Sequence, residues 1–173
     1  MAGDGTKVKL GAAWVTFGTV AGNVGEVIDL GYTKGGITVS FETGSYEVLV
    51  DQEGESPIAE QITGRRCTVV CPLAETNYEK LSKIMPDATY ASSTFKVQSG
   101  IGEDLMDYAD ELKVYAKANH TDWIKVYKAA PIASLQATFL PNAERIWPVV
   151  FKGFIPESTH AEANNLIGFH EAT

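Results

Sequence analysis

The sequence predicts a mainly β domain, a sandwich or barrel-like sheet, with one α-helix on its flank. Three observations lead there. Apolar and polar residues alternate with the two-residue period of a half-buried strand in run after run. A single segment near residue 80 has helical spacing with both a start and a stop signal. The order strands, helix, strands lacks the regular βαβ alternation that builds a parallel sheet. With 173 residues and no repeat, low-complexity segment or linker, the chain reads as one domain, 1–173. Short arms are expected at its two ends, about 1–8 and about 156–173.

Ile37, Val39 and Phe41 alternate with Thr38, Ser40 and Glu42 and predict a strand. Thr43-Gly44-Ser45 then offers a turn. Tyr46, Val48 and Val50 resume the alternation against Glu47, Leu49 and Asp51, so that Phe41, Tyr46, Val48 and Val50 are expected on the core. The polar DQEGESP, residues 51–57, predicts a loop. A long extended segment follows from Ile58 to Leu73, with a bend at Gly64.

Thr76-Asn77-Tyr78-Glu79 has the form of a capping box, in which the Thr hydroxyl and Glu carboxylate satisfy free amides of the first turn. It opens a helix of about residues 76–85. Tyr78, Leu81 and Ile84 or Met85 fall on one face, and Pro86 ends the run. A short helix with one apolar stripe lies flat on a sheet. Ser92 to Tyr108, with Gly100 and Gly102 and leading into carboxylates 103–111, reads mostly as loop.

The second half is again β-patterned. Leu112, Val114 and Ala116 alternate with Lys113, Tyr115 and Lys117; Trp123, Lys125 and Tyr127 alternate with Ile124, Val126 and Lys128. Leu135, Ala137 and Phe139 form a further run, followed by a turn at Pro141-Asn142-Ala143. In ERIWPVVFKGF, Val149, Phe151 and Gly153 share a side. Asn165 to Phe169 predicts a last edge strand.

Charge narrows the function. The chain carries 22 acidic against 14 basic residues, a net charge of −8. Phosphate binding draws its affinity from clustered Lys and Arg, and the only adjacent basic pair is Arg65–Arg66. No apolar run approaches the roughly 20 residues that span a bilayer. The opening MAGDGTKVKL lacks the basic-then-apolar order of a signal peptide, so cytoplasmic synthesis is expected. Cys67 and Cys71 share a strand face roughly 13 Å apart, too far for a disulfide. They read as small apolar residues.

Catalytic patterns are missing. His120, His160 and His170 stand at no metal-ligand spacing, and Glu157-Ser158-Thr159-His160 lacks the glycine-flanked elbow that presents a nucleophilic serine. Gly22 and Gly25 do not make a phosphate-cradling loop. The unusual stretch is FETGSYEVLVDQEGESPIAEQI, residues 41–62. Its six carboxylates (Glu42, Glu47, Asp51, Glu53, Glu55, Glu60) are unrelieved by any Lys or Arg. On residues alone, the chain is a structural subunit or a binding or adhesion module for a carbohydrate or protein, using aromatics such as Tyr32, Tyr46, Trp123 and Trp147.

Three stretches carry a resemblance: LGYTKGGITVSF followed by VLVDQEGESPIAEQITGRRCTVVCPLAETNYEKL; LKVYAKANHTDWIKVYKAAPIAS; and ERIWPVVFKGF. Through them the chain resembles the major tail tube proteins of long-tailed, siphovirus-type bacteriophages, whose fold is shared with the tube of the type VI secretion apparatus. The resemblance covers most of residues 25–155. It implies a non-enzymatic virion tail protein that needs no cofactor or metal. Such a protein assembles with itself into rings, generally six-fold, that stack into a helical tube conducting DNA during ejection. It also implies tail-tip, tape-measure and tail-terminator proteins as partners, DNA passing without specific binding, and no membrane. On that reading Glu47, Asp51 and Glu60 are the lumen candidates. Gln52, Glu53, Gly54, Glu55, Ser56 and Pro57 are candidates for the loop between stacked rings.

Overall fold

The computed structural model describes residues 13–49, 51, 56–75, 77–98, 101–116, 119–132, 145–156 and 164–170. Its strands are β1 (Ala13–Phe17), β2 (Ile28–Asp29), β3 (Thr38–Val48), β4 (Ala59–Leu73), β5 (Ala88–Ala91), β6 (Thr94–Val97), β7 (Asp110–Ala116), β8 (Asn119–Ile132), β9 (Trp147–Gly153) and β10 (Ile167–His170). The one α-helix among the described residues, α1, is Tyr78–Ile84. Eight of these strands form one antiparallel sheet in the order β2–β1–β7–β8–β9–β4–β3, with β10 also paired to β8. The expected run Leu135–Phe139, the turn at 141–143 and the N-terminal arm lie outside the described residues.

The sheet curls until its edges meet. β2 pairs with β1, and the Leu30 amide donates to the Val15 carbonyl. A few residues on, Lys34 N–H donates to Pro72 O, Ala74 N–H donates to Tyr32 O, and Thr33 bridges to Leu73. One segment, 28–34, thus joins β1 to the end of β4 and closes the sheet. Closure removes exposed edges and lets Phe17 of β1 touch Phe151 of β9, with ring centroids 5.0 Å apart. The architecture is therefore barrel-like.

Alternation fixes which residues fill it. Val15, Phe17, Cys67, Val69, Cys71, Leu112, Val114, Val126, Val149 and Phe151 all point inward and are buried. Residues between them, such as Trp14, Lys113 and Tyr115, lie on the outer face, as a period of two requires. Cys67 and Cys71 are free and buried, as expected from their spacing. β1 is a strand the sequence pattern hides, because Trp14 on the outer face replaces the polar residue that alternation would show.

The helix is capped one residue later than expected. Asn77, not Thr76, is the N-cap, and its side chain accepts from Lys80 N–H. Asn caps as well as Thr does, and from that start the third helical residue is Lys80, so no capping box forms. Leu81 and Ile84 bury in the core and Met85 ends the helix. Tyr78 stacks on Phe95 of β6 and meets the edge of Trp147 of β9.

Phe95 belongs to a hairpin, β5–β6, in the region expected to be loop. It turns through Ser92 and Ser93, both in the left-handed region (φ 49° and 62°). A two-residue turn with both φ positive matches strand twist, but normally advertises itself with Asn or Gly. Two serines give no such signal. Leu105–Tyr108 then forms a short 3-10 helix.

Candidate assembly surface

β3 and β4 are long strands that outrun the barrel. β4 pairs with β3 along its length but with β9 only from Thr68 to Leu73. Among the described residues, 59–66 of β4 therefore have one neighbouring strand, and every one of them is exposed. Ser40 to Glu47 on β3 are exposed as well. The result is a two-stranded arm projecting roughly 26 Å beyond the barrel at about 3.3 Å per residue. Ile58 N–H donates to Val48 O at its outer end.

This geometry corrects two expectations. Thr43-Gly44-Ser45 is not a turn: β3 runs straight through it, and the register shifts between Gly44 and Ser45. Gly44 faces Gly64 and Ser45 faces Ile62, so Thr63 is the extra residue of a β-bulge. A bulge bends and twists a strand without reversing it, and it lies beside the expected bend at Gly64. Nor do Phe41 and Tyr46 pack on the core. Tyr46 is 64% exposed and Phe41 44%, because the arm passes the last strand that could cover it. With no turn between them, these two residues also fall on opposite faces.

Cross-strand pairs share a face, so the register reads out both surfaces of the arm. One face carries Phe41 opposite Cys67, Thr43 opposite Arg65, Ser45 opposite Ile62, and Glu47 opposite Glu60. The other carries Glu42 opposite Arg66, the bare pair Gly44–Gly64, Tyr46 opposite Gln61, and Val48 opposite Ala59. Toward the tip the first face is acidic and the second apolar. Two lumen candidates, Glu47 and Glu60, are thus brought together. Asp51 lies beyond the strand end and is exposed. Of the loop candidates, Ser56 and Pro57 are exposed just before β4, whereas Gln52, Glu53, Gly54 and Glu55 lie outside the described residues.

The barrel's outer wall is more fully paired. Lys113 and Lys125 stand opposite each other on β7 and β8, and Glu111 bridges them at 2.5 and 2.8 Å. Partial burial pushes the Glu111 carboxyl up, but the two ammonium groups outweigh it and hold it below the usual range. Burial likewise pushes Lys113 down, and Glu111 more than reverses that. Lys125 also sits 4.7 Å from the Tyr127 ring centre. His170 stacks on Trp123 at 5.2 Å, and Trp147 is buried. The two tryptophans that a glycan-binding surface would use are therefore occupied or covered.

Among the described residues no group of His, Cys, Asp or Glu is placed to hold a metal ion. Burial pushes the Cys71 thiol up to about 12 and raises Cys67 too, so both stay protonated. The buried carboxylate that sequence reading missed, Asp110, is structural. It accepts from Thr19 Oγ1 (3.1 Å), Val24 N–H (3.0 Å) and Glu111 N–H (2.7 Å). Asn23 completes the knot by donating to the carbonyls of Met106 and Ala109. Gly22 explains the glycine in VAGNVG, since a Cβ there would lie 2.1 Å from the Asp110 carboxylate.

No protein-family model matches the chain, and no curated protein matches it. Two solved structures match over 98% of this chain and all of their own. One is from the tail of an empty GTA particle, obtained by helical refinement with C6 symmetry (12% identity, TM-score 0.48). The other is from the virion of a native gene transfer agent particle (12% identity, TM-score 0.47).

Proposed function

We propose that this chain is a structural subunit of a phage-type tail tube. Copies of it close into rings, in the six-fold arrangement the sequence resemblance implies, and the rings stack into a hollow tube through which DNA leaves. The subunit catalyses nothing and holds no cofactor. Its partners are further copies of itself and, at the ends and in the bore, tail-tip, tail-terminator and tape-measure proteins.

The observation that carries this reading is the β3–β4 arm. An isolated two-stranded hairpin is marginally stable in water, yet among the described residues nothing covers the faces or outer edges of this one. Tyr46 stands exposed on the face it shares with Val48, and Ile62 on the face of Glu47 and Glu60. Such a ribbon gains its stability from neighbouring copies, whose strands pair its edges and cover its apolar face. A head-to-tail contact that closes by rotation forms a ring, and stacked rings form a tube.

The two faces then divide the work. The face bearing Tyr46 and Val48 packs on a neighbour, and the face bearing Glu47 and Glu60 lines the bore. Asp51 adds charge at the arm's end, and residues 52–57 reach toward the next ring. An acidic wall repels the DNA polyanion over a Debye length of about 8 Å at physiological salt. It also avoids the counterion-linked affinity that a basic wall would create.

Electron microscopy of the purified protein, concentrated with and without its tail-tip complex as nucleator, tests this reading. Rings or hollow rods are the expected outcome. A protein that stays monomeric in both conditions would contradict it.

A further inference from the structure

The arm carries charges that find no partner among the described residues of their own copy. Arg65 stands opposite Thr43, and on the same face Glu47 stands opposite Glu60. Among the described residues none of the three side chains forms an ion pair or hydrogen bond. Arg65 faces Thr43 and Glu60 faces Glu47, so Arg65 stands four β3 positions, roughly 13 Å, along the arm from the two carboxylates. A second copy slid along by that distance brings them together.

We propose that Arg65 of one copy receives Glu47 and Glu60 of a second copy, the arms overlapping head to tail. This rests on the tube reading above and names the contact that sets the stagger between arms. A planar guanidinium with five donors suits two carboxylates held side by side, because it can bond both at once. The pairing also relieves the repulsion between Glu47 and Glu60, which face each other without a cation in their own hairpin. On the opposite face the Gly44–Gly64 pair thins the arm, and a Cβ at Gly64 would meet nothing within 4 Å, so a neighbouring copy can approach the Tyr46 and Val48 face closely while Arg65 reaches it on the other. The contact is heterologous: each copy that uses its tip keeps its own Arg65 open, so assembly propagates.

Charge exchange tests the pairing. The full chain is compared with R65E, with E47K/E60K, and with the triple variant R65E/E47K/E60K, measuring the concentration at which polymer sediments. All sites are exposed, and circular dichroism checks that each variant folds. Each parental variant should require at least about tenfold more protein to polymerise. The triple variant should return to within roughly threefold of the original threshold, because its charges are complementary again. Parental variants that assemble normally, or a triple variant no better than its parents, would overturn the pairing while leaving the tube intact. R65E tubes that form normally but release DNA faster would reassign Arg65 to phosphate and overturn it too. An unaltered chain that never polymerises, even with a nucleator, would remove the tube reading and this pairing together.

Discussion

Glu47 on β3 and Glu60 on β4 face each other directly across the projecting arm, with no cation on their own hairpin beside them. Like charges in opposite positions on adjacent strands destabilise a hairpin by a few tenths to about 1 kcal/mol. In the free subunit this pair should loosen the arm's outer half. Glu60→Gln should therefore slow amide hydrogen exchange in Tyr46–Val48 and Ala59–Ile62 by about two- to fivefold, measured below the assembly threshold. Unchanged exchange would mean that the carboxylates do not feel each other.

The Asp110 knot is expected to matter for stability alone. Asp110→Ala leaves the Val24 and Glu111 amides and the Thr19 hydroxyl without their acceptor, which should cost about 2–3 kcal/mol in urea unfolding. Gly22→Ala should cost a similar amount, since its Cβ would intrude on the same carboxylate. The double variant should lose less than the two costs added, because each change disrupts the same contact.

The Glu111 bridge gives a pH dependence with a definite sign. Its carboxyl is held below the ordinary value of 4.5, since Lys113 and Lys125 outweigh the upward push of burial. Its contribution is therefore complete above the unfolded pKa and is lost as pH falls through the lower, folded value. Glu111→Gln should flatten the loss of stability between about pH 5 and pH 3. An unchanged acid limb would show that other carboxylates control it.

Both thiols should be silent in the native protein. Cys67 and Cys71 are buried, and Cys71 is pushed up to about 12. A thiol reagent at pH 8 should modify neither until denaturant is added, and then both. The raised value also means that stability falls as pH rises above the unfolded thiol's range, near 8.5, where only the unfolded chain forms thiolate.

Much of this fold is visible in the sequence wherever one strand face meets the core and the other meets water. β7, β8, β9 and the second half of β4 show it, as does the stripe of Leu81 and Ile84 on α1. The pattern fails where an outward residue is itself apolar, as Trp14 is on β1. It fails again where a turn uses unremarkable residues, as Ser92 and Ser93 do. The arm was half legible. Its acidity stood out, and the length of β4 was readable, but Thr43-Gly44-Ser45 carries turn chemistry while serving as one side of a bulge. That Phe41 and Tyr46 lie uncovered depends on β9 ending at Gly153, and no local pattern encodes where a neighbouring strand stops.

The central claim is that this subunit builds a hollow tube with the Glu47–Glu60 face of its arm turned inward. Helical reconstruction of the assembled polymer, at a resolution that traces strands, tests it most directly. The expected result is an open bore lined by β3 and β4, with Glu47 and Glu60 projecting into it and Tyr46 and Val48 covered by a neighbouring copy. A polymer without a bore, or one whose arms lie on its outer surface with both carboxylates in bulk solvent, would contradict the account.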